Sequence, residues 1–251
     1  MPINRYHTYH PTRRVTYLEH LLIFNTPSTS THWRVDNFFS AEPETLGWLR
    51  RIEPGDVFFD VGANVGVYSI VAAKVHRASV YAFEPEALNY AILNKNVVFN
   101  GCGDTVIAYC LAISNELKLD RFNLASYGAG NAMHSFGEAK RSPEGDGEVL
   151  ESFEPFFRQG AVSFSLDELI ARGLPKPRFL KIDVDGFEPR VIEGASKLLA
   201  SADKLTVLVE VNRNLRAHRD MVDRLQSLSY RRAEYASSVE SASSNMIFDR
   251  K

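Results

Sequence analysis

An α/β fold around a largely parallel sheet is what the sequence predicts, on two observations. From Val57 onward, short β-branched or aromatic runs alternate with segments of helical period, the pattern of βαβ units. The runs VFFDV (57–61) and FLKIDV (179–184) lack polar alternation, as expected of strands covered by helices on both faces.

Residues 1–50 read as an irregular lead-in. Within it, Tyr17 to Phe24 is apolar enough for a strand or short helix, and Thr45 to Arg51 has a helical pattern. Strands are predicted at Val57–Asp60, Ser79–Phe83, Thr105–Ile113, Phe179–Asp183 and Lys204–Val211. Between the first two, Val67, Ile70, Val71 and Val75 share one helix face, and Phe187, Val191, Ile192, Ala195, Leu198 and Leu199 do so further on. Between Leu117 and Ser163, Gly128, Gly130, Gly137, Pro143, Gly147 and other breakers interrupt any regular element. A connection that long inside a domain is usually functional, so 117–163 reads as an insertion on the substrate side of the active site. After the Ser-rich loop Ser237–Ser244, NMIFDR (245–250) reads as a last strand, antiparallel to one near Tyr230–Tyr235.

A chain of 251 residues with 45% hydrophobic content can bury one sizeable core, and residues 1–251 are expected to form one domain. The net charge of −2 gives no reason to expect a nucleic-acid partner, and the Arg-dense stretch from Arg213 to Arg232 reads as the solvated face of a helix. Cys102 and Cys110 have no CxxC spacing and read as structural thiols in a reducing compartment. MPINRYHTYHPTRR lacks the apolar core of a signal peptide, and no run reaches the roughly 18 apolar residues of a membrane span. A soluble, cytoplasmic protein is expected. His7 and His10 find no further ligand nearby to complete a metal site.

In an open α/β sheet, ligands sit beyond the carboxyl ends of the strands, where strand order reverses. Asp60 and the loop Gly62–Gly66 occupy such an end. Gly62 and Gly66 would let a ligand approach the backbone, and Asn64 tolerates a left-handed conformation. Glu84 follows Asp60 by 24 positions, close to the offset of roughly 20 at which an acid meets ribose hydroxyls in nucleotide-binding βαβ units. The loop is not the G-x-G-x-x-G of a pyrophosphate cofactor, and a carboxylate beside a diphosphate would repel it. A cationic cofactor carrying an amino acid, S-adenosylmethionine, suits Asp60 better; a glycine turn that serves packing alone is the bland alternative.

Three stretches, VFFDVGANVGVYS (57–69), VYAFEPEALNYAILNKN (80–96) and FLKIDVDGFEPRVIEGA (179–195), followed by LTVLVEVN (205–212), resemble the FkbM-type S-adenosylmethionine-dependent methyltransferases in order and spacing. WRVDNFFSAEPETLGWLR (33–50) also looks like that family's approach to the first strand. The resemblance implies a class I methyltransferase (Rossmann-like) fold, with a mostly parallel seven-stranded sheet ending in an antiparallel hairpin. It also implies methyl transfer to a hydroxyl of a sugar, glycan or natural product. Carried over by position, Asp60, Gly62, Asn64 and Gly66 would hold the methionine part of the cofactor and Glu84 its ribose. Ala112 and Ile113 would flank the adenine, and Asp183 would face the sulfonium and the acceptor. Asp185 departs from the Glu that many members carry in KIDVEG, a conservative change.

A neutral hydroxyl must lose its proton, and a positioned base typically adds 10²–10⁴-fold. Asp183, Lys181 and His134 are the catalytic candidates; Asp185, Glu210, Tyr127 and Asn131 are candidate acceptor contacts. The bland readings are specific. Asp185 and Glu188 have capping-box spacing, as do Ser165 and Glu168, which receive no catalytic role. Lys181 could reach out to solvent or pair with a carboxylate, and His134 could be a surface loop histidine. Asp183, Asp185 and Glu210 could converge on Mg²⁺, but the spacing does not demand it and no metal is assigned. An NAD-dependent oxidoreductase and a non-catalytic S-adenosylmethionine-binding module are the competing functions.

Overall fold

The computed structural model describes residues 11–143, 146–233 and 243–250. His7, His10 and most of the Ser-rich loop lie outside them. The lead-in is more regular than its sequence suggests. Strands β1 (Thr12–Tyr17) and β2 (His20–Asn25) form an antiparallel hairpin. Its two turn residues, Leu18 and Glu19, both have positive φ, 44° and 67°, without the Asn-Gly or Asp-Gly that usually announces such a turn. Helix α1 (Thr29–Ala41) starts at a capping box in which Ser28 and Thr31 bond reciprocally, and α2 (Pro43–Leu49) follows with Pro43 in its first turn.

The main sheet begins at β3 (Val57–Val61). Helix α3 (Val67–Ile70) runs on as a π-helical turn, Val71–Val75, before β4 (Ser79–Phe83). Glu86 caps α4 (Ala87–Phe99) by accepting from the Leu88 and Asn89 N–H groups. Then come β5 (Val106–Tyr109) and β6 (Ala112–Ile113). The single strand expected over Thr105–Ile113 therefore divides: β5 stays at the edge of the main sheet, and β6 leaves to pair with an insertion strand.

Residues 117–163 are not irregular. They hold β7 (Lys118–Leu124), β8 (Ser135–Phe136), β9 (Lys140–Arg141), β10 (Glu151–Ser152) and β11 (Phe157–Phe164). β7 and β11 pair antiparallel along their whole overlap, and a second sheet runs β6-β11-β7-β8. Most of the glycines and prolines that suggested an irregular segment stand between these strands.

Helix α5 (Leu166–Ala171) opens on the expected Ser165–Glu168 capping box, and β12 (Phe179–Ile182) follows. The helix expected over Phe187 to Leu199 breaks at Ala195 into α6 (Glu188–Gly194) and α7 (Ser196–Ser201). At Gly194 a Cβ would collide with the Ser114 carbonyl oxygen. β13 (Thr206–Asn212), α8 (Arg216–Ser227), β14 (Tyr230–Arg232) and β15 (Ser243–Arg250) complete the order. As expected, α8 turns Arg216, Arg219 and Arg224 to solvent while burying His218, Met221 and Leu225.

Strands lie in the order β14-β15-β13-β12-β3-β4-β5, parallel except for β15, which is antiparallel to both neighbours. Strand order reverses between β3 and β12, so their carboxyl ends open the crevice where such sheets bind ligands. Successive residues feed opposite faces: Phe58 joins Trp48, Val35 and Leu93 in one core, and Phe59 joins Val191, Leu199 and Met221 in the other. Trp48 keeps its indole N–H satisfied on Thr206 Oγ1 at 2.9 Å. No helix among the described residues is long and apolar enough to cross a membrane.

Candidate active site

A cavity of about 320 Å³ opens at the β3–β12 crevice, at the lower end of the ~300–1,000 Å³ typical of small-molecule sites. Asp60, Gly62, Glu84, Ala112 and Ile113 line it toward β4 and β6, and Lys181, Asp183, Asp185 and Glu210 line it toward β12 and β13.

The loop after β3 has a packing reason for its glycines. Gly62 has φ +79°, and a Cβ there would strike the carbonyl oxygen of Asp183. Gly62 thus lets the loop close against the end of β12 while its backbone lines the cavity. Gly66, also at φ +79°, starts α3 against Leu93. Asn64 takes φ 50°, as its residue type permits, but its side-chain amide donates to the Asn131 carbonyl at 2.9 Å and so ties the loop to the insertion.

Asp60 Oδ2 accepts from Ser69 Oγ at 2.5 Å, while Oδ1 is buried with no hydrogen-bond partner. Burial raises the Asp60 carboxyl above its ordinary value, against the pull of the Lys181 charge and the Ser69 bond. Glu84 accepts from the N–H of Asn64 through Oε2 and of Glu86 through Oε1, both at 2.8 Å. Burial pushes it up to about 8. The Glu84 carboxyl, ionised or protonated, can bond a ribose hydroxyl, and the orphaned Asp60 oxygen suits a cationic amino-acid group. These residues therefore fit S-adenosylmethionine.

Lys181 does not reach solvent. It is 2% exposed, its Nζ lies 2.8 Å from Asp183 Oδ2, and it stands 5.4 Å from the centre of the Tyr68 ring. Burial alone would lower its ammonium, but the charges of Asp183, Glu42 and Asp60 outweigh burial and hold it above the ordinary lysine value. Burial would likewise raise Asp183, and Lys181 with Arg34 overrides it, keeping the carboxyl below its ordinary value. Glu210 goes the other way: burial, then the negative charges of Asp183, Glu188 and Asp185, push it up to about 9.

Two expectations about the β12 loop are corrected. Asp185, at φ 57°, does not cap α6; its Oδ2 accepts from the insertion's Met133 and His134 N–H groups at 2.7 and 3.2 Å. Glu188 folds back instead, with Oε1 accepting from Val184 N at 2.8 Å and Gly186 N at 3.3 Å. The carboxylates that could hold a metal are consequently Asp183, Glu188 and Glu210, with one oxygen from each within 4.8 Å of the others. Asp185 is not among them. Burial drives Glu188 to about 8, so a cation would have to displace protons from both glutamates.

His134 is buried, not a surface loop residue. Its Nδ1 accepts from the Ala125 N–H at 3.2 Å, which leaves the ring proton on Nε2. Burial and the Arg34 charge lower it to about 4, so the neutral ring offers an N–H donor rather than a proton acceptor. Asn131 lines the cavity, and its contacts join several elements: its carbonyl accepts from Asn64 and Asn89, its Oδ1 from Ser30 Oγ, and its Nδ2 donates to Ser126 Oγ. Tyr127 stays outside the cavity lining, 61% exposed, with its ring 6.5 Å from Phe156 and 6.3 Å from Phe157.

Sequence reasoning missed the wall that α1 supplies, with Trp33, Arg34 and Phe38, and the residues Glu42 and Tyr68 beside Lys181. The signal for α1 was the pair Ser28 and Thr31, a capping box without the usual Glu or Gln. Glu42 sits between α1 and α2, where its Oε2 accepts from Thr45 Oγ1 at 2.8 Å and Asn245 Nδ2 at 2.9 Å; nothing in its local sequence marks it.

Residues 60–232 match the family model described as the methyltransferase FkbM domain. The hexuronic acid methyltransferase AglP of Haloferax volcanii is 28% identical over 190 residues, covering 75% of this chain and 70% of its own. The 31-O-demethyl-FK506 methyltransferase FkbM of Streptomyces tacrolimicus is 31% identical over 162 residues, 57% of this chain and 60% of that relative. The crystal structure of precorrin-6y C5,15-methyltransferase from Geobacter metallireducens aligns with a TM-score of 0.47 at 15% identity, over 83% of this chain and 86% of that one. The family match displaces the nicotinamide alternative. Because the matched residues are more than half of the chain and run from the strand-end carboxylate through the whole β12 cluster, the protein belongs to the FkbM-domain methyltransferases and uses S-adenosylmethionine.

Proposed function

We propose that the protein transfers a methyl group to a hydroxyl oxygen of a sugar, glycan or natural-product acceptor. The observation that carries this reading is the continuity of the cavity, in which Glu84 and Asp60 share one space with the Lys181–Asp183 pair. The names of the two relatives, one a hexuronic acid enzyme and one a 31-O-demethyl-FK506 enzyme, support an acceptor of this kind.

When bound, S-adenosylmethionine supplies a methyl group already activated on a sulfonium. In this reading Glu84 accepts the ribose hydroxyls, Asp60 attracts the cationic amino-acid end, and Ala112 with Ile113 borders the base. Gly62, Asn64 and Gly66 hold the loop that carries these contacts. Holding the acceptor oxygen in line is the larger part of the task, since orientation can contribute about 7–11 kcal/mol. Asp183 receives the hydroxyl proton through the oxygen that Lys181 does not occupy. Its low pKa is no obstacle, because a hydroxyl becomes strongly acidic as its oxygen gains a bond to carbon. Lys181 stays an ammonium and fixes the carboxylate. His134 Nε2–H and protonated Glu210 are donors for the acceptor's other oxygens, while Asp185 and Asn131 hold the insertion over the site.

The test is mass spectrometry of sugar and glycan acceptors incubated with methyl-labelled cofactor, wild type against Asp183→Asn. Label on an acceptor oxygen that disappears in the variant, while calorimetry still reports cofactor binding, is the expected result. Label on nitrogen or carbon, or transfer undiminished in the variant, would remove the proposal.

A further inference from the structure

The cavity walls are acidic, and two permanent cations face into them among the described residues: Lys181 and Arg34. Lys181 is neutralised by Asp183 at 2.8 Å. Arg34 has no such direct contact. Its Nε donates to the Gly130 carbonyl at 2.7 Å, which fixes the plane of the guanidinium, and no carboxylate among the described residues forms an ion pair with it. Its charge is nevertheless felt by Asp183, Asp185 and His134, so the guanidinium stands close to the cluster proposed to receive the acceptor. Arg34 also borders a shallow hollow beside the main cavity, shared with Trp33, Ser126 and Asn131. The Trp33 indole on the same helix is 58% exposed.

A half-buried guanidinium has lost part of its hydration, and leaving its terminal nitrogens without an anion is unfavourable. Its planar fork matches a carboxylate in a two-point contact. A singly charged carboxylate also suits the surroundings better than a phosphate, because Asp183 would repel a dianion more strongly. The exposed indole offers an apolar face to the ring that carries the carboxylate.

We propose that Arg34 is a specificity-determining residue that receives a carboxylate on the acceptor, so that the methylated substrate is an acidic sugar rather than a neutral one. This rests on the reading of the cavity as the methyl-transfer site. Arg34 binds and orients, and it takes no part in moving the proton.

The experiment compares methyl glucuronide with methyl glucoside in the full chain, for wild type, Arg34→Gln and Arg34→Lys. It reads kcat/KM for methylation and, separately, calorimetric binding of glucuronide to protein saturated with S-adenosylhomocysteine. Wild type should favour the glucuronide, and R34Q should cut that preference by about ten- to a hundredfold, with R34K between them and the cofactor Kd held. Equal use of both sugars by wild type, or R34Q weakening cofactor rather than glucuronide, would overturn the assignment. If neither sugar is methylated, the binding arm decides: glucuronide binding that R34Q abolishes keeps the carboxylate site and discards the methyl-transfer reading, and absent binding discards the carboxylate site.

Discussion

Lys181 is a permanent positive charge on the inner face of a buried strand, and it divides the surrounding carboxyls into two kinds. Asp183, in contact with it, remains ionised; Glu210, facing other carboxyls, keeps its proton at neutral pH. Asp183→Asn is therefore expected to lower kcat by about 10²–10⁴-fold, with cofactor Kd within a few-fold of wild type in calorimetry. Lys181→Met removes the charge that depresses Asp183, so the acid limb of the kcat/KM pH profile should move to higher pH. A profile that does not move would exclude Asp183 as the titrating base. At Glu84, replacement by Gln sets an amide nitrogen against the N–H group of Asn64 or Glu86 and should weaken cofactor binding by about ten- to a hundredfold, again by calorimetry. Asp60, Glu84 and Asp183 were legible in the sequence because each ends a strand on the ligand side of the sheet. The neutral state of His134 was not legible, because it depends on the Ala125 N–H bond and on Arg34, which come from other parts of the fold.

Among the elements, continuous apolar runs and a capping box revealed several, and little of the rest was legible. Except at Thr105–Ile113, the parallel strands follow their sequence patterns closely, as does α5, with Ser79–Phe83 matching residue for residue. α1 escaped notice because its cap pairs Ser28 with Thr31 and its face toward the cavity carries Trp33 and Arg34 instead of aliphatic residues. The insertion read as irregular because its strands are separated by turns dense in glycine, and β11 itself contains Gly160 opposite Arg121. The loop after β3 supplies a sharp comparison. Gly66→Ala forces a left-handed alanine, costing about 1–2 kcal/mol, with Leu93 able to yield. Gly62→Ala bears the same backbone cost and also meets the rigid Asp183 carbonyl. Thermal denaturation should show the larger loss for Gly62→Ala, and equal losses would mean that the loop does not close on β12. Asp185→Asn, which replaces a charged acceptor by a neutral one at Met133 and His134, should speed amide hydrogen exchange across those residues and leave β7 and β11 protected.

For the molecule as a whole, three glutamates hold protons far above the ordinary value of 4.5: Glu84 and Glu188 to about 8, Glu210 to about 9, each chiefly through burial. Each binds its proton more tightly when the chain is folded. That stabilisation is complete below the unfolded value and is lost as pH rises toward 8 and 9. The cofactor-free protein should accordingly melt at progressively lower temperature between about pH 5 and pH 9, and a flat profile would show these carboxyls to be better hydrated than their burial implies. The largely parallel sheet was foreseeable from the alternation of strands and helices, whereas its division of the interior into two cores and the convergence of α1 and the insertion on one cavity were not, since no local pattern encodes which surfaces will meet. Asn131 is where they meet, bonded at once to Asn64 in the loop after β3, Asn89 on α4 and Ser30 on α1. A shared node of this kind predicts that a ligand held by the loop after β3 and a ligand held by the insertion are thermodynamically linked. By reciprocity, whatever factor the cofactor contributes to acceptor affinity, the acceptor returns to cofactor affinity. Asn131→Ala should bring both ratios toward one together, leaving two ligands that no longer sense each other.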